Sequence, residues 1–253
     1  MKIKHVGKMT VAGHRGDCYN RYENTMTAFK YAFDTGADMI ETDVRMSKDG
    51  VLVLMHDESV WRTTESVGNI KDMTLAQIKK LNAGDLLTPE EVPTFEEFMV
   101  WVKDTPMTVN IEIKEYYSEE NKNRCVECIE KVLSLVEKLG MRERILINSF
   151  DAFVLEYVYN KYGKKYLLHG FYPYDIMTNV KGNPDEYLYC ACIFQTRNKG
   201  LYDYLISRGI EPWIGASVTN PSMLDLAYRY GAKLITTNNP KDVIEKLKNL
   251  GLR

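Results

Sequence analysis

The 253-residue chain has too few cysteines to be built on disulfides, and an odd number of them: Cys18, Cys125, Cys128, Cys190 and Cys192. A chain of this length buries a core without covalent staples, so free thiols are expected. Cys125 and Cys128 do form a C-x-x-C, but they fall inside a helical apolar repeat and lack the second ligand pair that structural zinc takes. Charge of one sign is lacking too, since 33 Lys and Arg against 35 Asp and Glu leave a formal charge of −2 and a pI near 6.1. That balance supplies no basic face for nucleic acid or an anionic membrane, and neither is expected as a partner. No run of about 18 apolar residues occurs. The first eight residues carry three lysines with no apolar stretch behind them, so a cytoplasmic protein without a signal peptide is expected. Nothing in the chain specifies an oligomeric state.

What is there is an alternation of short β-branched runs with longer amphipathic segments, the pattern of repeated βα units around a parallel sheet. Eight strands are expected over 8–14, 38–44, 108–113, 144–148, 166–169, 190–195, 212–216 and 233–236. Helices are expected over 25–35, 119–139, 152–162, 201–208, 222–230 and 241–250, with one more somewhere in 171–189. Gly36, Gly140, Gly163, Gly209 and Gly231 stand where helices stop. The fold class is therefore α/β, a TIM-like (β/α)₈ barrel forming one domain over residues 1–253. The run 51–55 follows the second strand too closely for a parallel return and must come back antiparallel through a turn at Asp49-Gly50. That hairpin brings His56 opposite the neighbourhood of Glu41 and Asp43. Residues 57–106 then form a small insertion, with helices near 75–81 and 95–102.

In such a barrel the chemistry sits at the C-terminal ends of the strands, and polar residues collect there. His14-Arg15-Gly16 ends the first strand, Glu41 and Asp43 the second, His56-Asp57 the hairpin arm, and Glu112 and Lys114 the third. Residues two apart on a strand share a face, so Glu41, Asp43 and Glu112 converge. Three carboxylates together repel unless a cation neutralises them, and oxygen ligands suit a hard ion, Mg²⁺ or Ca²⁺. Arg15 and Lys114 offer the competing explanation, a structural ion-pair network. Two of only four histidines, His14 and His56, fall at this mouth, the pair that acid–base chemistry requires; His5 reads as a surface residue and His169 as a pocket or supporting residue. With Arg15 and Lys114 to offset negative charge, the set fits attack on a phosphodiester. It equally fits an aldolase or an enolate-forming metal barrel with Lys114 as base or Schiff-base amine.

Read together, His14-Arg15-Gly16, Glu23-Asn24-Thr25, the run Gly36 to Val44 with Glu41 and Asp43, Asp49-Gly50, His56-Asp57, Arg62-Thr63-Thr64, Asn110-Ile111-Glu112-Ile113-Lys114, Ser149-Phe150, Trp213 and Thr236-Thr237 resemble the glycerophosphodiester phosphodiesterase family. The resemblance spans nearly the whole chain. It implies hydrolysis of small-molecule glycerophosphodiesters to sn-glycerol 3-phosphate and an alcohol, with one divalent metal on Glu41, Asp43 and Glu112. By the same resemblance His14 and His56 are the acid–base pair, Arg15 and Lys114 contact phosphate, and Glu23 and Trp213 line the site. Two positions depart from the family pattern: Tyr22 replaces a proline, and Asn238 replaces an aspartate after the last strand. Two other readings stand beside the main one. A lysophospholipase D would use Trp61, Leu86, Leu87 and Trp101 as an apolar entrance, and a phosphate-ligand binder would use the same barrel without turnover.

Overall fold

The computed structural model describes residues 2–253. Among the described residues nine strands form: β1 Thr10–His14, β2 Met39–Met46, β3 Leu52–Leu54, β4 Thr108–Ile113, β5 Ile145–Asn148, β6 Leu167–Tyr172, β7 Cys190–Ile193, β8 Glu211–Ile214 and β9 Leu234–Thr237. Eight are parallel neighbours in the order β1-β9-β8-β7-β6-β5-β4-β2, and β1 also pairs with β2, which closes the barrel. The strand expectations hold to within a few residues at every end. The ninth, β3, runs antiparallel to β2 in the register Val44 to Leu54, as the short connection demanded. Its turn is fastened by Val51 N–H donating to Ser47 Oγ and by Gly50 at a φ of 78°. On its far side Leu54 N–H donates to the Pro93 carbonyl, and Val53 bridges Thr94.

The period of two assigns every strand residue a side. Ile40, Ile111, Ile147, Ala191, Ile214 and Ile235 face outward into the core shared with the helices. Ala12, Met39, Leu146, Leu167, Cys190, Trp213 and Leu234 face inward and, with Ile3, plug the barrel. Truncating one such buried side chain to alanine costs about 2–5 kcal/mol. The next inward layer toward the C-terminal ends is polar, and there the site begins. Five crossover helices and the C-terminal helix start at side-chain caps, from Thr25, Thr94, Asp151, Asn198, Asn220 and Asn239, which satisfy first-turn N–H groups.

Three expectations change. Residues 171–189 form no α-helix, only 3₁₀ turns at Tyr174–Ile176 and Pro184–Glu186, because Pro173, Gly182 and Pro184 interrupt any helical run. His5 is not a free surface residue: its ring is held between Thr10 Oγ1 and Glu211 Oε2, both at 2.9 Å. Within 57–106, the helix Phe95–Lys103 packs Phe95, Phe98, Met99 and Val102 into the main core as the barrel's own crossover. The part with a core of its own is narrower, built on Val60, Ile70, Ile78, Ala83 and Val92 against Val53 and Met55. All five cysteines are free, with Cys125 and Cys128 buried on the helix Lys122–Lys138.

Gly16 follows the end of β1 at a φ of 84°, and a Cβ there would lie 2.6 Å from the Ala28 backbone. Gly16→Ala should therefore cost about 1–3 kcal/mol for the backbone conformation alone, and more for the clash. Gly140, at a φ of 68° with nothing within 4 Å, is the control. Thermal melts should show Gly16→Ala falling further than Gly140→Ala; equal losses would mean that the close approach to Ala28 carries no energy.

Candidate active site

The site is assembled by strand register. His14 on β1 pairs with Glu41 on β2, Glu41 with Asn110 on β4, and Asp43 with Glu112, so three adjacent strands deliver their inward polar residues to one place. Met55 N–H donates to the Asp43 carbonyl, extending the hairpin by one residue and bringing His56 to the neighbourhood of Glu41 and Asp43. Arg15, just past β1, has a φ of 53°, a left-handed conformation that a non-glycine residue keeps only when held. Its N–H donates to Glu41 Oε2 at 2.9 Å, its carbonyl accepts from Asn24 N–H at 3.1 Å, and its guanidinium reaches Glu23 Oε1 at 3.0 Å and Asp43 Oδ2 at 3.1 Å. Asn24 donates to Asp43 Oδ2 and accepts from Thr42 Oγ1, both at 2.9 Å, which fixes the second carboxylate.

Glu41, Asp43 and Glu112 are buried, and one oxygen from each lies within 4.8 Å of the others. The ion-pair explanation is tested by what Arg15 and Lys114 reach. Lys114 bonds Glu112 and stands 3.3 Å from Asp43 Oδ1. Glu41 Oε1, however, has no partner, and Asp43 Oδ1 makes no hydrogen bond. Glu41 Oε1 without a partner and Asp43 Oδ1 with only the Lys114 charge beside it leave coordination to spare, so this donor set fits a hard divalent cation on Glu41, Asp43 and Glu112. Burial, then the charges of Asp43 and Glu112, push the Glu41 carboxyl well above the usual carboxylate range. Burial raises Glu112 as well, against the pull of Lys114. Burial also works to raise Asp43, but Lys114 and Arg15 together prevail and hold it low.

Both histidines are oriented through Nδ1. His14 Nδ1 lies 2.6 Å from Asn238 Oδ1, and His56 Nδ1 lies 2.6 Å from Asp57 Oδ1. An Nδ1–H donated to oxygen leaves the Nε2 lone pair free in each neutral ring. The partners differ in charge, an amide behind His14 and a carboxylate behind His56. Burial, followed by the Arg15 charge, depresses His14 to about 4; burial also lowers His56, where Asp43 and Asp57 oppose it. Asn238, the departure from the family's aspartate, thus still accepts the histidine's hydrogen bond and withholds only the charge.

His14, Arg15, Glu41, His56, Glu112 and Lys114 line one side of a cavity of about 380 Å³. The opposite wall is apolar, with Phe150, Phe171 and Phe194 stacked and Gly215 and Ala216 beside them. Gly215 allows this, since a Cβ there would lie 3.0 Å from the Phe194 ring.

The glycerophosphoryl diester phosphodiesterase family matches residues 14–245. The chain belongs to that family. A glycerophosphodiester phosphodiesterase of Caldanaerobacter subterraneus is 42% identical over 156 residues, covering 58% of this chain and 60% of that protein. One of Bacillus altitudinis is 33% identical over 187 residues, 70% of each. The chain thus spans under two thirds of the first relative's length. Among solved structures, a glycerophosphodiester phosphodiesterase from Agrobacterium tumefaciens aligns over 94% of this chain and 99% of its own, with a TM-score of 0.76 at 23% identity. An Oleispira antarctica phosphodiesterase, in complex with the product sn-glycerol-3-phosphate, aligns over 94% and 96% with a TM-score of 0.81 at 21% identity. Those neighbours share the barrel.

For this family member, two residues expected to line the site are not among those that line this cavity. Trp213 is fully buried, its indole 4.8 Å from the His169 ring, in the apolar layer below the pocket. The reason is register: the pocket-level residue of β8's line is Gly215, and 213 is one layer deeper. Glu23 lies one step behind the pocket wall, clamped between Arg15 and a bidentate Arg62, whose Nε also bonds Asp57. The sequence assigns no role to Asp57, Arg62, Asn238 or the three phenylalanines, although Asp57, Arg62 and Phe150 stand in the motifs that carry the resemblance and Asn238 is one of its departures.

Because Glu41 and Glu112 ionise later in the fold than in the unfolded chain, the metal-free protein should lose stability as pH rises above their ordinary value of 4.5. A divalent ion removes that penalty. Melting with and without Mg²⁺ or Ca²⁺ should show a stabilisation that widens from pH 5 to pH 8, reaching about 2.7 kcal/mol at a hundredfold excess over Kd. Glu41→Gln should raise the melting temperature of the metal-free protein at pH 8 and flatten the metal response. A metal shift independent of pH would place the ion elsewhere.

Proposed function

We propose that this protein hydrolyses glycerophosphodiesters to sn-glycerol 3-phosphate and an alcohol, with one divalent cation held by Glu41, Asp43 and Glu112. The observation that carries the reading is the meeting, in one cavity, of an under-satisfied carboxylate triad with two histidines whose Nδ1 atoms are both tied to oxygen. A bound cation would supply Lewis-acid polarisation of the phosphoryl oxygens. Arg15 and Lys114 bring positive charge to the diester anion, and both are kept protonated by their carboxylate neighbours against the effect of burial. That arrangement offsets the charge that otherwise repels a nucleophile.

His14, with a neutral partner and a depressed pKa, takes a proton at Nε2 from the attacking water, whose oxygen bonds to phosphorus as the bond from phosphorus to the alcohol oxygen breaks. His56, where Asp43 and Asp57 favour the protonated ring against the larger effect of burial, gives a proton to the departing alkoxide. Nothing in this division needs Trp213. Glu23 and Arg62 position Arg15 and Asp57 respectively, tying the insertion to the catalytic wall. The relatives' names and the product bound to the Oleispira protein support the same substrate class.

One observation favours a second substrate, a diester retaining an acyl chain: Trp61, Leu86 and Leu87 are 62%, 96% and 90% exposed on the insertion. Trp101 does not join them, since it packs against Phe98 and Phe33.

Purified protein given glycerophosphocholine, glycerophosphoethanolamine, glycerophosphoglycerol or their lyso-lipid counterparts should release glycerol 3-phosphate from the water-soluble diesters. EDTA should abolish turnover, and Mg²⁺ or Ca²⁺ should restore it. His14→Ala and His56→Ala should each lower kcat by about 10²–10⁴-fold. The His56→Ala loss should shrink when the leaving group is p-nitrophenol, which departs without protonation, while the His14→Ala loss should not. Turnover of lyso-lipids alone would replace the main reading with the second, and binding without turnover under either metal would leave a ligand-binding protein.

A further inference from the structure

The catalytic cavity has a neighbour that the proposed chemistry does not use. Beyond the Phe194 ring lies a shallow recess of about 350 Å³, lined by Phe194, Gln195, Thr196, Arg197, Asn198 and Met223. Phe194 lines the catalytic cavity as well, so the two spaces meet at one aromatic ring. No carboxylate lines the recess, and its one charged side chain is Arg197.

Arg197 differs from every other arginine among the described residues. The others each reach a carboxylate or a main-chain carbonyl, even the exposed Arg208 and Arg229, which hold Asp185 and Asp225. Arg197 makes one hydrogen-bonding contact, from Nε–H to the Met223 sulfur at 3.4 Å, a weak acceptor, and its two terminal nitrogens are unspent. The turn that carries it is fastened on both sides. Thr196 N–H donates to the Phe194 carbonyl at 3.1 Å and Asn198 N–H to the Gln195 carbonyl at 3.0 Å. The Tyr202 hydroxyl donates to the Thr196 carbonyl at 3.1 Å, and the Asn198 side chain caps the helix Lys199–Ser207.

A guanidinium held in this way presents a planar pair of N–H groups, which matches the two oxygens of a carboxylate or a phosphate. A choline or ethanolamine head would bring its own cation against Arg197, and a plain alkyl chain would leave the guanidinium unpaired. The glycerol half of a glycerophosphodiester carries no charge, so an anion site beside the cavity can serve only the alcohol half. We propose that the recess receives the departing alcohol and that Arg197 selects alcohols carrying an anionic group, a carboxylate or a second phosphate. This rests on the proposed diester reading and adds to it the chemical class of the alcohol.

The test uses phosphonate analogues of glycerophosphodiesters, in which a methylene replaces the oxygen of the departing alcohol, so that binding is read without turnover. Their alkyl arms, long enough to pass the Phe194 ring, end in a methyl group, a carboxylate or a phosphate, and each is titrated calorimetrically into the Mg²⁺-loaded protein. Wild type should bind the anionic arms about 3–10-fold more tightly than the methyl-ended arm. Arg197→Met should remove that preference, Arg197→Lys should keep part of it, and added salt should erode it. Arg197 is exposed, so both variants should keep the fold. A gain on both anionic arms assigns recognition of either group, and a gain on one alone identifies which. No preference in wild type overturns the proposal. So does a preference that survives Arg197→Met, which would place the anion on Arg15, Lys114 or the cation instead. Turnover of the corresponding oxygen diesters is followed separately: if none is hydrolysed while the Arg197-dependent preference persists, the hydrolytic reading falls and the anion site stands.

Discussion

The repulsion among Glu41, Asp43 and Glu112 is the constraint around which this barrel mouth is arranged. Three carboxylates on adjacent strands, out of water, would each lose their charge or force the strands apart. The chain answers with partial compensation. Lys114 joins Glu112 and Asp43, Arg15 joins Asp43, and the Arg15 N–H is spent on Glu41. Bringing Arg15 to those positions requires a left-handed residue followed by a glycine pressed against Ala28. The backbone irregularity after β1 is thus a consequence of the electrostatics, and the compensation stops short of Glu41 Oε1, where a cation is still wanted.

Much of this was legible in the sequence because it depends on local periodicity. The eight barrel strands and the antiparallel return of β3 follow from alternation, run length and one Asp-Gly turn. The convergence of Glu41 with Asp43, and of Glu112 with Lys114, follows from the two-residue repeat. Depth within the barrel did not follow. Whether an inward residue lies at pocket level or one layer below depends on strand stagger, and Trp213 falls on the lower side of that line. The segment 171–189 failed for a different reason: its apolar residues suggested a helix, but Pro173 and Pro184 restrict it to single turns. Asn238 and Arg62 stand out in the sequence only by resemblance, and nothing local shows that Asn238 would hold His14 or that Arg62 would join Glu23 to Asp57.

The insertion is also more closely engaged with the mouth than its position in the chain suggests. It hangs from β3 through Val53 and Met55 and returns a charge network through Arg62. Movement of that segment would therefore be felt at Arg15 and His56 together, since Glu23 and Asp57 are the shared handles.

The way the sheet ends has a separate consequence. The eight parallel strands close on themselves, so the strand with an outer side is β3, and that side is occupied by Pro93 and Thr94. Proline has no N–H to offer an incoming strand, and the neighbouring Leu54 N–H is already spent. The hairpin that delivers His56 is thus added without creating a template for edge-to-edge aggregation, the hazard that an extra strand on a closed barrel would otherwise introduce.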